Sequence, residues 1–175
     1  FLLAPIVPMK MLVLGAGLQG SACAYDLLQQ PDVTEVRLAD KSVDHLPEFL
    51  RPYVGGKLKP MTLDVTDKPA TLKVMDGVKS VMCAVPYYLN LPLAEAAIES
   101  GAHFSDLGGN TEIVFQQKKL AAKATAAGVT VIPDCGLAPG MVNILAQLGI
   151  SRCDSVQSVK IFVGGLPQKP EPPLN

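Results

Sequence analysis

A glycine-rich turn followed by an acidic residue carries the clearest chemical signal in this sequence. The apolar run 11–14 leads into Gly15, Gly17 and Gly20, which open a helix-like stretch. Asp40 ends the next apolar run, 20 residues after Gly20. In this arrangement the first glycine permits a tight turn, the second lets the backbone approach a pyrophosphate, and the third lets the helix pack closely on the strand. The phosphate charge then meets the N–H groups of the helix N-terminus, so the pattern predicts a dinucleotide site.

The elements that must position this turn alternate along the chain. Apolar runs typical of strands cover 10–14, 35–39, 59–63, 79–85, 103–107 and 129–133. Helical patterns cover 18–29, 42–51, 69–75, 91–100, 112–127 and 140–148. Parallel strands need crossover helices, so this alternation predicts an α/β fold with a doubly wound parallel sheet. We expect the Rossmann strand order 3-2-1-4-5-6, with the ligand at the carboxyl edge of the sheet.

The sequence divides the chain into three parts. Residues 1–8 are apolar and are set aside as a leader, and residues 9–150 form the dinucleotide-binding domain. In residues 151–175 a strand pattern over 155–163 leads into a proline-rich stretch with nothing to pack against. We expect this part to be the start of a second, α+β domain that is truncated here. The alternative is an additional strand at the end of the same sheet.

Composition excludes several classes of function. The chain has 175 residues, is 49% hydrophobic and carries a net charge of −1, which gives no electrostatic basis for binding nucleic acid or an anionic membrane. No apolar run is long enough to span a bilayer. Four cysteines without a CxxC pair and two histidines without ligand spacing indicate no metal site and no disulfide framework. We therefore expect a cytoplasmic protein with reduced thiols.

Residues that directly follow each strand should face the cofactor in this architecture. The Asp40 carboxylate can accept hydrogen bonds from an adenosine ribose and would repel a 2′-phosphate, which predicts NAD rather than NADP. Lys41 and Ser42 lie beside it and could weaken that preference. Asp64 is placed near the adenine, although a turn or helix N-cap role explains it equally well. The predicted cofactor-binding residues are Gly15, Gly17, Leu18, Gln19, Gly20, Asp40, Asp64, Val65, Ala84, Val85, Pro86 and Leu137.

Polar residues near the expected nicotinamide are the candidates for catalysis and substrate binding. Tyr87 follows the fourth strand and Asp106 lies near the end of the fifth, and we expect both to contact the substrate. The alternative is that either one satisfies backbone groups. Asn143, in the last helix, and Gly165 are assigned to the substrate region. Cys135 fits a small buried side chain better than a nucleophile, because no histidine is linked to it by a motif.

Longer motifs resemble the saccharopine dehydrogenase-like family. They are GAGLQG at 15–20, VPYYLN at 85–90, SDLGG at 105–109, GLAPGMVN at 136–143 and VGGLP at 163–167. Within the family the chain is most similar to the L-lysine 6-dehydrogenases. The resemblance implies NAD-dependent oxidative deamination of the lysine side-chain amine to allysine and ammonia. It also implies a second domain that contacts the amino-acid substrate and forms a homodimer.

Two alternatives stay open. Saccharopine and carboxynorspermidine dehydrogenases belong to the same family, but Asn90 stands where saccharopine reductases carry a histidine, which argues against saccharopine itself. An alternative of another class is a non-catalytic NAD-binding sensor on the same fold. In the enzyme, the substrate amine must be neutral before hydride leaves, and a free lysine amine has a pKa of about 10.4. A dry pocket or a positioned base would remove that proton, and the sequence does not identify the base.

Overall fold

One parallel sheet organises the computed structural model, which describes residues 8–164. Its strands are β1 (Met9–Leu14), β2 (Val33–Asp40), β3 (Leu58–Thr62), β4 (Ser80–Cys83), β5 (His103–Asp106) and β6 (Val131–Ile132). Their order is β3-β2-β1-β4-β5-β6, and every neighbouring pair is parallel. The predicted doubly wound Rossmann fold and its strand order are therefore confirmed.

Helices follow most of the strands. They are α1 (Leu18–Gln29), α2 (Lys68–Met75), α3 (Asn90–Glu99), α4 (Thr111–Lys118), α5 (Ala121–Ala126) and α6 (Met141–Ile150). Short 3₁₀ helices occupy Glu48–Tyr53 and Tyr87–Leu89. Within the described residues, the helices are all too short or too polar to cross a bilayer.

Side chains of β1 alternate between two layers of the core. Leu12 and Leu14 are buried in a cluster that includes Leu93 of α3, whereas Val13 is buried in a second cluster with Leu28 of α1. Successive strand residues point to opposite faces of a sheet, so an apolar run such as this one is buried on both. Because the helices cover the two faces, the carboxyl ends of the strands are the part of the sheet left to a ligand.

Two predicted helices differ in the structure. The pattern over 42–51 forms only the 3₁₀ helix Glu48–Tyr53, which follows Pro47 and contains Pro52, a residue that has no N–H for the helical ladder. The helix predicted over 112–127 is divided into α4 and α5. At the division the chain tightens to hydrogen bonds that span three residues, which interrupts an α-helix.

The strand predicted over 155–163 is not formed. In the described part of the chain, residues 151–164 contain no helix or strand, and their side chains are exposed. A strand exists through hydrogen bonds to a neighbouring strand, and this segment pairs with none of the described strands. Its alternating apolar side chains alone are therefore insufficient to make it a strand.

Contacts divide the chain into two compact units, one up to Cys135 and one from Gly136 onwards. The first unit contains the sheet and α1 to α5. The second contains α6, where the N–H of Gly140 donates to Asn143 Oδ1 at 2.9 Å and closes the first turn. This second unit begins ahead of residue 150, where the sequence draws its domain boundary, and that boundary stays a prediction.

Candidate dinucleotide-binding site

The turn between β1 and α1 is pressed against the end of β4. Gly15 has a φ of +98°, and a Cβ on this residue would lie 2.7 Å from the carbonyl oxygen of Ala84. A Cβ on Gly20 would overlap the carbonyl oxygen of Gly15. Both positions therefore require glycine for steric reasons that lie within the protein.

Gly17, between these two residues, has a different environment. It is the N-cap of α1 and provides no side-chain hydrogen bond to the first turn, and a Cβ on it would meet no atom within 4 Å. Leu18, the next residue, is 89% exposed. The first N–H groups of a helix need partners outside the helix, and an open, uncapped N-terminus of this kind suits a phosphate. The space above Gly17 is therefore available to a ligand.

Asp40 closes the same turn from the end of β2. Its Oδ2 accepts a hydrogen bond of 2.6 Å from the N–H of Ala16, which ties the carboxylate to the glycine turn. Among the described residues, no protein group donates a hydrogen bond to its Oδ1. A carboxylate oxygen can accept further bonds, so this one is available to a ribose hydroxyl.

Lys41 and Asp64 form an ion pair beside Asp40. Lys41 Nζ lies 3.2 Å from Asp64 Oδ2. Asp64 Oδ1 accepts two hydrogen bonds from Thr66, one from its hydroxyl at 2.7 Å and one from its N–H at 3.0 Å. The hydrogen bonds from Thr66 and the ammonium of Lys41 lower the pKa of Asp64 to about 2. Asp64 is therefore a charged turn residue at neutral pH.

These groups surround a cleft of about 390 Å³ at the carboxyl edge of the sheet. Seven of the predicted cofactor residues line it: Gly15, Gly17, Asp40, Val65, Ala84, Val85 and Pro86. Five further lining residues are absent from the list of predicted cofactor-binding residues, although Lys41 was noted beside Asp40: Lys41, Leu63, Thr66, Tyr88 and Leu89. All five lie within a few residues of the end of β2, β3 or β4, so a wider window after each strand would have found them.

The other predicted cofactor residues have different positions. Leu18, Gln19 and Gly20 form the first turn of α1, and Gly20 is buried beneath the glycine turn. Asp64 holds Lys41 rather than lining the cleft. Leu137 belongs to the second unit, where its carbonyl accepts a hydrogen bond from the N–H of Val142.

Asp106 has the role that the sequence left open as the alternative to a substrate contact, because it satisfies backbone groups. Its side chain is fully buried, and Oδ1 accepts hydrogen bonds from the N–H groups of Gly108 at 2.7 Å and Asp134 at 3.1 Å. Its Oδ2 accepts a bond of 2.7 Å from Gln117 Nε2. Because its carboxylate is enclosed by these three donors, the geometry favours the alternative that Asp106 satisfies protein groups over a contact with the substrate. It joins the ends of β5 and β6 to α4.

The remaining candidate residues are distributed as follows. Tyr87 is 43% exposed, packs edge-on against Tyr88 with ring centroids 5.8 Å apart, and does not line the cleft itself. Asn143 caps α6, as described above. Gly165 lies outside the described residues. Asn90 is buried and accepts a hydrogen bond from the Cys83 thiol at 3.4 Å, so it does not offer its amide to a substrate in the cleft.

Comparison with known families agrees with this geometry. The family model described as the saccharopine dehydrogenase NADP binding domain matches residues 11–132, which include the glycine turn and the cleft. The chain belongs to this family. The matched residues form a domain of Rossmann type, and the family match supports a nicotinamide dinucleotide as its cofactor.

Two relatives of this chain are much longer than the chain itself. Alpha-aminoadipic semialdehyde synthase, mitochondrial, from Mus musculus is 29% identical over 164 residues, covering 90% of this chain and 17% of that protein. Saccharopine dehydrogenase (NADP(+), L-glutamate-forming) from Saccharomyces cerevisiae is 26% identical over 162 residues, covering 90% of this chain and 35% of that protein. The chain therefore spans between 17% and 35% of these two relatives.

A solved structure also resembles this chain. The apo form of saccharopine dehydrogenase (L-Glu forming) from Saccharomyces cerevisiae superimposes with a TM-score of 0.65 at 25% identity. The match covers 82% of this chain and 31% of the yeast chain. Sequence and fold thus point to the same family.

Proposed function

We propose that this chain binds NAD and forms the cofactor domain of an oxidoreductase that oxidises the carbon–nitrogen bond of an amino acid. The observation that carries the proposal is the cleft in which the open N-terminus of α1 at Gly17 and the carboxylate of Asp40 meet. Bound NAD would supply the chemistry by accepting hydride at its nicotinamide ring. The residues of this chain hold and orient the cofactor, because N–H groups at a helix N-terminus bind phosphate and a carboxylate binds ribose hydroxyls.

NAD rather than NADP is proposed because of the charge of Asp40. A 2′-phosphate would be brought next to a carboxylate that is itself held by the N–H of Ala16 and cannot turn away without breaking a 2.6 Å hydrogen bond. The family model is described as NADP binding, so the family does not itself favour NAD. The proposed preference for NAD depends on Asp40.

Oxidative deamination of L-lysine at its side-chain amine, yielding allysine and ammonia, is the proposed reaction. The turn DLGG at 106–109, the stretch PDCGLAPGM at 133–141 and the ending PEPPL at 170–174 support it through their similarity to the lysine 6-dehydrogenases. The residues that bind the lysine carboxylate are proposed to lie in a second domain, which would also form the homodimer.

Tyr87 is proposed as a substrate contact of this enzyme. Its exposed ring packs on Tyr88, which lines the cleft, and a Cβ on Gly109 would lie 3.1 Å from that of Tyr87. Tyr87→Phe keeps the ring and removes the hydroxyl. We expect kcat/KM for the amino acid to fall roughly tenfold, the effect of about one hydrogen bond, with NAD affinity unchanged. Equal loss of NAD affinity would contradict a substrate role.

Saccharopine is the second candidate substrate, because relatives of this chain carry that activity in their names. The presence of Asn90 in place of histidine was the argument against saccharopine. The structure does not support that argument as a difference in direct substrate contact, because Asn90 is buried and hydrogen-bonded to Cys83. The two substrates share an oxidised carbon–nitrogen bond and differ in the amine, which is primary in lysine and secondary in saccharopine.

Cofactor binding is tested first, by calorimetric titration of the chain with NAD. Gly17→Val should abolish binding while leaving the melting temperature unchanged, because the added side chain occupies only the open space above the turn. The matched control is Gly149→Val in α6, where a Cβ also meets no atom within 4 Å. Unchanged NAD affinity in Gly17→Val would refute the site.

Turnover is tested next, with the full-length protein, NAD and either L-lysine or saccharopine. NADH and ammonia formed from lysine alone would establish the deaminating dehydrogenase. Turnover of saccharopine alone would assign the chain to the saccharopine enzymes. NAD binding without turnover of either substrate would favour the carboxynorspermidine-type reaction or a non-catalytic sensor.

A cytoplasmic location is part of the same proposal, supported by four cysteines that are free thiols.

A further inference from the structure

Lys41 is the one cation among the described residues that line the cleft. It directly follows Asp40, and its ammonium could serve a negatively charged group on the adenosine ribose. The side chain is nevertheless committed elsewhere: its Nζ lies 3.2 Å from Asp64 Oδ2. The ion pair joins the end of β2 to the segment after β3.

Asp64 is itself held in place by the turn that follows it. Both donors of Thr66, its hydroxyl and its N–H, bind Asp64 Oδ1 and leave Oδ2 directed to Lys41. These contacts keep the pKa of Asp64 far below neutrality, so its charge persists at any pH at which the protein would be assayed. The partner of Lys41 is thus both fixed and permanently charged.

We propose that Asp64 is a positioning residue that adjusts dinucleotide selectivity by holding Lys41 away from the place of a 2′-phosphate. The inference rests on the proposed dinucleotide function. Asp40 disfavours the phosphate by its charge, and Asp64 removes the cation that would compensate. The carboxylates of Asp40 and Asp64 therefore favour NAD by different means.

The ion pair between Lys41 and Asp64 contributes little free energy. The Lys41 side chain is 71% exposed and that of Asp64 is 49% exposed, and exposed ion pairs contribute little because water and salt screen them. A doubly charged 2′-phosphate would compete with Asp64 for the ammonium. We therefore expect Asp64 to adjust the preference by a few-fold rather than to impose it.

The experiment measures dissociation constants for NAD and NADP in four forms of the chain: wild type, Asp64→Asn, Lys41→Gln and the double variant. Asp64→Asn keeps an oxygen that accepts the Thr66 bonds, so the turn should persist. We expect it to bind NADP about five-fold more tightly with NAD affinity unchanged, in line with the strength of an exposed ion pair. Lys41→Gln alone should change NADP affinity little, because Asp64 already holds the Lys41 ammonium, and it should remove the gain in the double variant.

The double variant separates positioning from simple charge repulsion. If the gain in NADP affinity persists without Lys41, Asp64 acts directly on the phosphate and the proposal is wrong. Asp67→Asn removes the same charge from the N-cap of α2, where Asp67 Oδ1 accepts a hydrogen bond from Ala70 N–H at 3.1 Å. An equal gain in that control would also contradict the proposal.

Failure of the proposed function gives a different result. If the wild-type chain binds neither dinucleotide, the site itself is wrong. If it binds NAD but the ratio of the two dissociation constants is the same in wild type and Asp64→Asn, only the role of Asp64 is refuted. A gain that decreases as salt is raised would support the ion-pair mechanism.

Discussion

The ends of β2 and β5 each carry an aspartate, and the two residues have opposite relations to the protein around them. Asp40 receives one hydrogen bond, from Ala16 N–H, and lines the open cleft. Asp106 is fully buried and receives three, from Gly108, Asp134 and Gln117. The carboxylate of Asp40 can therefore still bind a ligand, whereas all the contacts of the Asp106 carboxylate are made within the protein.

An aspartate at the end of a strand is therefore not shown to be a binding-site residue by its position alone. Both residues stand where a Rossmann fold binds its ligand, and both are at the carboxyl end of a buried strand. What separates them is the number of nearby backbone donors. Donors that would be buried without a partner cost free energy, so a carboxylate among several of them becomes part of the structure.

Replacing Asp106 should give the largest effect. Asp106→Ala leaves two backbone N–H groups and the Gln117 amide without their acceptor, and we expect the free energy of unfolding to fall by about 3 kcal/mol or more. Urea denaturation followed by circular dichroism measures it. Asp106→Asn should lose clearly less, because its amide keeps one acceptor and can donate to Gln117 Oε1, which is buried without a partner in the described structure. A stable Asp106→Ala protein that has lost only turnover would restore the catalytic interpretation.

Gly20→Ala tests the same distinction within the glycine turn. The new methyl group would overlap the Gly15 carbonyl, so we expect a loss of about 2 kcal/mol in the free energy of unfolding, typical of overpacking. Gly17→Ala is the matched control and should retain wild-type stability, because its Cβ meets nothing within 4 Å. Thermal and urea unfolding of the two variants measure this difference in stability. Equal stability of both would mean that the turn is looser than described.

Asp40→Asn should affect binding rather than folding. The amide oxygen still accepts from Ala16 N–H, but the charge that strengthens a hydrogen bond to ribose is lost. We expect NAD affinity to fall about ten-fold in calorimetry and the free energy of unfolding to change by less than about 0.5 kcal/mol. If this variant unfolds as readily as Asp106→Ala while NAD binding is intact, the contrast between the two aspartates is wrong.

Cys83 should give the smallest effect, on reactivity alone. It ends β4, in register with Asp106, and its buried thiol donates to Asn90 Oδ1. Burial raises the pKa of Cys83 to about 12, so little thiolate forms at pH 8. A maleimide should label exposed Cys153 in the native protein and Cys83 only after denaturation. Equally fast labelling of both, read by mass spectrometry of peptides, would show that the end of β4 opens readily.

Much of the fold could be predicted because its signals are local. Apolar runs and helical periodicity identified every strand of the sheet, and α1 begins at Leu18 and ends at Gln29 as expected. Alternation of strands and helices was enough for the strand order. The exception was 155–163, whose apolar pattern has no partner strand among the described residues. A local pattern cannot report whether a hydrogen-bonding neighbour exists.

The candidate site was predictable to the extent that it follows strand ends. Seven predicted residues line the cleft, but Asp64 pairs with Lys41 instead of lining it. Tyr88 rather than its neighbour Tyr87 lines the cleft, because the turn of the 3₁₀ helix Tyr87–Leu89 gives adjacent residues different positions. A sequence motif cannot indicate which of two adjacent residues in a short helix lines a cleft.

The sequence by itself determined the Rossmann fold and the dinucleotide turn, because these depend on periodicity and on glycine at three spaced positions. The family followed from the resemblance of its longer motifs. Only the tertiary structure decided which aspartate serves a ligand and which serves the fold. Asp106 meets Asp134 across 28 residues of chain and Lys41 meets Asp64 across two strands. Such contacts arise when strands distant in the chain become neighbours in the sheet, and it is these contacts that set whether a carboxylate is enclosed or left open.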